Sequence, residues 1–163
     1  MALQNRTREA ILQGAKSEIA EVGSYESNMV DISTKAQVSR ATVYNHFADK
    51  EEMILALIES EIERLTDLAL KAPTPRDALF ALSREISKDP ALAKMRETDP
   101  VDIAKFVTRS ENLLWSLALE NSMKLFGPTN GNLVLHWLIS QIGFPLSEGE
   151  SSIQADKISK SFL

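Results

Sequence analysis

Between residues 7 and 22, Ile11, Leu12, Ala15, Ile19 and Val22 recur three and four residues apart with polar residues between them. That spacing is one buried face of a helix. Gly23 follows where a helix ends in left-handed backbone. A second helix is predicted after Asn28, which can cap it, with Asp31 three residues on and Val30, Ile32 and Ala36 as its apolar content. Ser39 caps a third, from Arg40 to about Phe47, with Val43 and Phe47 one turn apart. Asp49 and Glu52 then make a capping-box-like pair opening a long helix, whose stripe is Ile54, Leu57, Ile58, Ile62, Leu65 and Leu68. Such a helix spans roughly 30 Å, enough to join two lobes.

Three later starts share one grammar. Thr74-Pro75, Asp89-Pro90 and Asp99-Pro100 each place a capping residue before proline at the first helical position. They predict helices over 75–87, 90–97 and 100–108. Two more are expected over 110–126, stopped by Gly127-Pro128, and over 132–142 (NLVLHWLISQI), ended by Gly143-Phe144-Pro145. The sequence SEGE reads as a polar link before a last amphipathic piece over 152–163. No alternating strand appears. The fold class is all-α, about nine helices, with a head at residues 1–50 and a helical body at 51–163.

The second and third helices, separated by Gln37-Val38-Ser39, read as a helix-turn-helix. Val43 and Phe47 turn inward, which puts Arg40, Thr42, Tyr44, Asn45 and His46 on the other faces. These groups can reach phosphate oxygens or base edges, and no acid stands among them until Asp49. Lys50 begins the long helix, where a helix N-terminus itself attracts phosphate. Charge sharpens the contrast: residues 1–50 balance six Lys/Arg against six Asp/Glu, so the net charge of −5 lies entirely in the body. A neutral head can still bind a polyanion if its basic groups cluster. With no cysteine, disulfides and thiolate zinc sites are excluded. MALQNRTREAILQ has no signal-peptide core, and no run approaches the ~18 apolar residues of a spanning helix. A cytoplasmic protein with no membrane contact and no cofactor or metal is expected.

The pattern TREAIL…A…G, then DI…A-x-VSRATVYNHFADKEEM, covering about residues 7–57, resembles the tetracycline-repressor (TetR) family of bacterial transcriptional regulators. The remainder matches in helical layout, and HWLISQIGFP looks like the family's late helix, often at the dimer interface. The resemblance implies a ligand-responsive repressor, a homodimer on a near-palindromic double-stranded operator. It implies that Arg40 and Ala41 face base edges, with Tyr44 and Asn45 deeper along the groove. Ser39, Thr42, His46 and Lys50 would hold phosphates, and Asn28 or Met29 would approach the flanking backbone. Two positions depart from the family pattern: Gln37 replaces the usual turn Gly, and Val30 a polar base-reader of some members. A left-handed Gln37 would cost on the order of 1 kcal/mol; otherwise the turn differs slightly from the family's.

Phe80, Met95, Phe106, Trp115 and Met123 make the middle helices rich enough in aromatic and Met side chains to permit an apolar effector cavity. Arg109 and Glu111 could add polar selectivity, though a solvated ion pair is the better reading of either. Leu119, Leu135, Trp137 and Leu138 are the expected dimer contacts on the late helices. A rival reading takes Tyr44, His46 and Asp49 as a reactive cluster, but no nucleophile or metal constellation accompanies it. The alternative to a regulator is a helical small-molecule-binding or adaptor protein without DNA function.

Overall fold

The computed structural model describes residues 2–108 and 113–162, with no side-chain detail for Ala2 and Leu3. Ten helices and no strand form among the described residues: α1 (Ala2–Val22), α2 (Met29–Lys35), α3 (Arg40–His46), α4 (Lys50–Leu70), α5 (Pro75–Ser87), α6 (Pro90–Thr98), α7 (Pro100–Thr108), α8 (Leu113–Phe126), α9 (Pro128–Gly143) and α10 (Glu148–Lys160). None of these is long and apolar enough to cross a membrane. Arg109 and Glu111 lie outside the described residues.

Local chemistry sets the head helices. Asn28 accepts from the Val30 and Asp31 amides at 3.1 and 3.0 Å, Ser39 from Thr42 at 3.0 Å, and Asp49 from Glu52 at 2.8 Å. These bonds satisfy amides at helix N-termini that have no partner within the helix. Ile11, Leu12, Ile32, Val43 and Met53 are wholly or almost wholly buried in one core shared by α1 to α4, which Ala91 and Met95 of α6 also join. Gln37 takes φ 56°, the left-handed turn that its position demands. Its side chain is exposed and gains no compensating hydrogen bond among the described residues. Gln37→Gly is therefore expected to stabilise the fold by about 1 kcal/mol in urea denaturation, and a loss of stability would contradict this account.

The body has its own core, where α5, α8, α9 and α10 pack around Leu79, Leu82, Phe126, Val134 and Ala155. α8 and α9 approach closely at Gly131, where a Cβ would come 2.6 Å from the Met123 backbone. A buried polar knot pins α5, α9 and α10 together. Gln141 Oε1 lies 2.6 Å from the Ser83 hydroxyl and 3.0 Å from that of Ser87, and Ser83 and Ser151 stand 2.8 Å apart.

Four boundaries and roles differ from the sequence reading. Helix α9 starts at Pro128, not 132: Gly127-Pro128 is a fourth start with proline in the first turn, lacking only a capping side chain. SEGE is not a link but a capping box. Ser147 accepts from the Glu150 amide, and Glu150 reaches back to the Ser147 amide, so α10 begins at Glu148. The Asp99 carboxylate does not cap the helix that follows it, as described below. Leu135 and Leu138 are buried and turn inward, so neither can be an outer-face dimer contact. Trp137 is half-buried against the body core, donating to Gln154 at 2.7 Å, and Leu119 is half-buried. Leu133 and His136 are among the α9 residues that face outward.

Candidate nucleic-acid interface

Helix α3 buries Val43, and Phe47 just past its end anchors the same edge in the head core. Arg8 of α1 lies over the Phe47 ring, 5.4 Å from its centre, and fixes that edge further. Arg40, Ala41, Tyr44 and Asn45 are consequently exposed, with Tyr44 54% exposed; Thr42 and His46 are half-buried at the margin. No hydrogen bond or ion pair among the described residues occupies the side chains of Arg40, Tyr44, Asn45 or His46. Two other cations of the head are already committed: Lys16 to Glu61 and Asp89, and Lys35 to Glu18 and Glu21. The Asp49 carboxylate is spent capping α4. An exposed helix face carrying one uncommitted guanidinium, amide, phenol and imidazole, without an acid, suits a polyanion grooved at helical width.

Two residues expected in this surface are placed elsewhere. Met29 is buried in the head core, so its side chain packs and does not reach outward. Lys50 points away from the α3 face. Its ammonium donates to the carbonyls of Ser24, Tyr25 and Ser27 at 3.0, 2.9 and 2.9 Å, which uses all three of its protons. Ser39 and Thr42 share a 2.7 Å contact between hydroxyls at the start of α3. Asn28 is exposed at the start of α2, its amide donating to Asp31.

The other side of the loop that Lys50 holds is gripped by Asp99, which spacing marks only as a helix cap. Its buried carboxylate accepts from the Ser24 and Tyr25 amides at 2.9 and 3.2 Å and from the Thr98 hydroxyl at 2.7 Å. Burial alone would push this carboxyl up. The three hydrogen bonds and the nearby Lys50 charge outweigh that and hold it below the usual carboxylate range.

Between head and body lies a cavity of about 420 Å³ with an almost wholly apolar lining. Met95, Phe106 and Trp115 line it, as does Ser24 from the head. Phe80 does not; it packs in the body core under the Arg76 guanidinium, 5.4 Å from its ring centre. Met123 also lies outside the lining and is exposed on α8. Leu135 and Leu138, by contrast, are cavity walls.

Residues 11–57, the whole of the helix-turn-helix and the first turns of α4, match the family model described as bacterial regulatory proteins, tetR family. The head carries the helix-turn-helix of the TetR family. Similarity to individual TetR members extends further. The HTH-type transcriptional repressor AcnR of Corynebacterium glutamicum is 27% identical over 111 residues, 62% of this chain and 56% of that protein. The chain spans 56% or less of the length of the curated relatives it matches. Among solved structures, the TetR family repressor AlkX of a Dietzia strain superposes with a TM-score of 0.67 at 15% identity, covering 95% of this chain and 94% of AlkX. FadR of Bacillus subtilis, solved in complex with stearoyl-CoA, gives 0.54 at 16% identity over 94% and 96% of the two chains. These two establish a shared all-helical TetR fold across head and body.

Proposed function

We propose that the chain is a cytoplasmic, ligand-responsive transcriptional repressor that binds a near-palindromic operator as a homodimer and leaves it when a small apolar molecule fills the body cavity. The observation that carries this reading is the exposed, acid-free, uncommitted face of α3. Arg40 and Ala41 approach base edges, Tyr44 and Asn45 lie deeper in the groove, and Ser39, Thr42, His46 and Asn28 steady the phosphates. The division between head and body falls within α4, whose Met53, Ala56 and Leu57 belong to the head core while Leu65 and Ala69 pack in the body.

The repressor AcnR and the alkane-associated repressor AlkX support the negative sense of regulation by kinship. The near absence of polar lining supports an apolar effector, and a volume of about 420 Å³ suits a compact one. Outward-facing Leu113, Met123, Leu133 and His136 on α8 and α9 supply the dimer surface, at a close-packed helix pair that gives it rigidity. Two such heads would meet successive major grooves about 34–36 Å apart.

The test is selection of duplexes from a random library by the full chain, followed by salt-titrated binding. An inverted repeat bound with an affinity that falls steeply with salt is expected. No salt-dependent duplex binding would leave the helical adaptor or small-molecule-binding alternative in its place.

A further inference from the structure

The loop of residues 23–27, between α1 and α2, is clamped from two directions. Lys50 at the start of α4 takes the carbonyls of Ser24, Tyr25 and Ser27, and Asp99 at the α6–α7 junction takes the amides of Ser24 and Tyr25. Gly23 lies so close to that junction that a Cβ would come 2.3 Å from Thr98 Oγ1 and 2.6 Å from Asp99 Oδ2. Asp99 is also tied by its backbone to the cavity. Its N–H donates to the Met95 carbonyl at 2.8 Å, and its own carbonyl accepts from the Ile103 amide at 3.2 Å. Met95 and Ile103 both line the cavity, and so does Ser24.

We propose that Asp99 is the positioning residue that transmits occupancy of the apolar cavity to the DNA-binding head, by holding or releasing the loop before α2. This rests on the ligand-responsive reading above. A ligand that pushes the Met95 and Ile103 walls apart moves the one residue hydrogen-bonded to both. That residue carries a buried charge whose acceptors are occupied by the head's own backbone. Buried hydrogen bonds of this kind do not stretch; they break or carry their partners with them, so a small wall movement becomes a shift of the loop and of α2 behind it. The route runs beside α4, which also lines the cavity and holds the same loop through Lys50.

The experiment uses the full chain and, as a surrogate for a ligand, a side chain grown into the cavity from α8. Ala118 lines the cavity and belongs to an element remote in sequence from the loop, so Ala118→Phe fills it from the far side; Ala118→Leu serves if the larger ring prevents folding. Amide hydrogen exchange is followed at Ser24 and Tyr25. Asp99→Asn, which keeps the shape but removes the charge and one acceptor, is expected to speed both amides by about tenfold or more. Filling the cavity is expected to do the same in wild type, and to add less than about twofold in Asp99→Asn. Affinity for a duplex selected by the wild-type chain should follow the same pattern, lowered by filling only when Asp99 is present. Equal effects of filling with and without Asp99, or wild-type exchange at Ser24 and Tyr25 in the filled or the Asp99→Asn protein, would overturn the relay. Failure to select any duplex would count against the DNA-binding reading instead, and the exchange arm would still decide the relay.

Discussion

Gly23→Ala is expected to lower the stability of the chain by about 3 kcal/mol in urea denaturation. Gly23 sits at φ 90°, where an L side chain is strained by roughly 1–2 kcal/mol. The new Cβ would also meet Thr98 Oγ1 and Asp99 Oδ2 far inside contact distance. Thr98 can rotate away by giving up its bond to Asp99. Asp99 cannot move without releasing the Ser24 and Tyr25 amides, one a buried and one a part-buried hydrogen bond to a charged group, whose loss costs about 1.5–3 kcal/mol each at most. The variant therefore either keeps the strain or frees the loop, and both cost stability. A loss under about 1 kcal/mol would show that the loop tolerates a side chain and that the head is not built on this close approach.

Gly23 also marks where the sequence stops being legible. Its place at the end of α1 follows from the end of the periodic stripe, and so does its left-handed backbone. The caps Asn28, Ser39 and Asp49 were readable for the same reason: each acts on amides two or three residues away, so sequence distance and spatial distance coincide. The left-handed backbone of Gln37 was implied only by the resemblance, which puts a turn Gly at that position. Asp99 and Lys50 break that rule. Spacing cast Asp99 as a helix cap and Lys50 as a phosphate clamp at a helix start. Both instead satisfy the exposed backbone of a loop more than twenty residues away, which no local signal encodes.

The body shows the same limit in its packing. An apolar stretch such as NLVLHWLISQI announces burial but not which neighbour does the burying. Leu135 and Leu138 therefore fell into the cavity wall while Leu133 and His136 took the outer face. Met95, Phe106 and Trp115 were legible as cavity candidates because large, adaptable side chains leave gaps. Phe80 was not separable from them by type. Ser83, Ser87, Gln141 and Ser151 carry no periodic signal at all, since small polar residues read as surface until three helices bring them together.

Arg40→Ala and Lys50→Met should separate two cations of the head that the family resemblance placed together against DNA, Arg40 at base edges and Lys50 at a phosphate. Arg40 is exposed at the first turn of α3 with its guanidinium uncommitted. Its loss is expected to weaken a selected operator by about 1–3 kcal/mol, roughly ten- to a hundredfold, and to relax base preference at one position in each half-site. Lys50 instead spends its ammonium on three backbone carbonyls, and methionine of similar length would leave those acceptors with one cation fewer. Lys50→Met is therefore expected to lower the thermal midpoint of the protein while leaving the slope of binding against salt within error of wild type, because no counterion-releasing phosphate contact is lost. Salt-titrated fluorescence anisotropy on the selected duplex reads both. A slope shallower by about one contact in Lys50→Met, with stability unchanged, would return Lys50 to the phosphate backbone. An Arg40→Ala protein that binds with wild-type affinity and sequence preference would remove α3 from the groove. The contrast matters because it asks whether a positive charge beside DNA is there for the DNA or for the backbone that carries it, and only the first leaves its signature in salt.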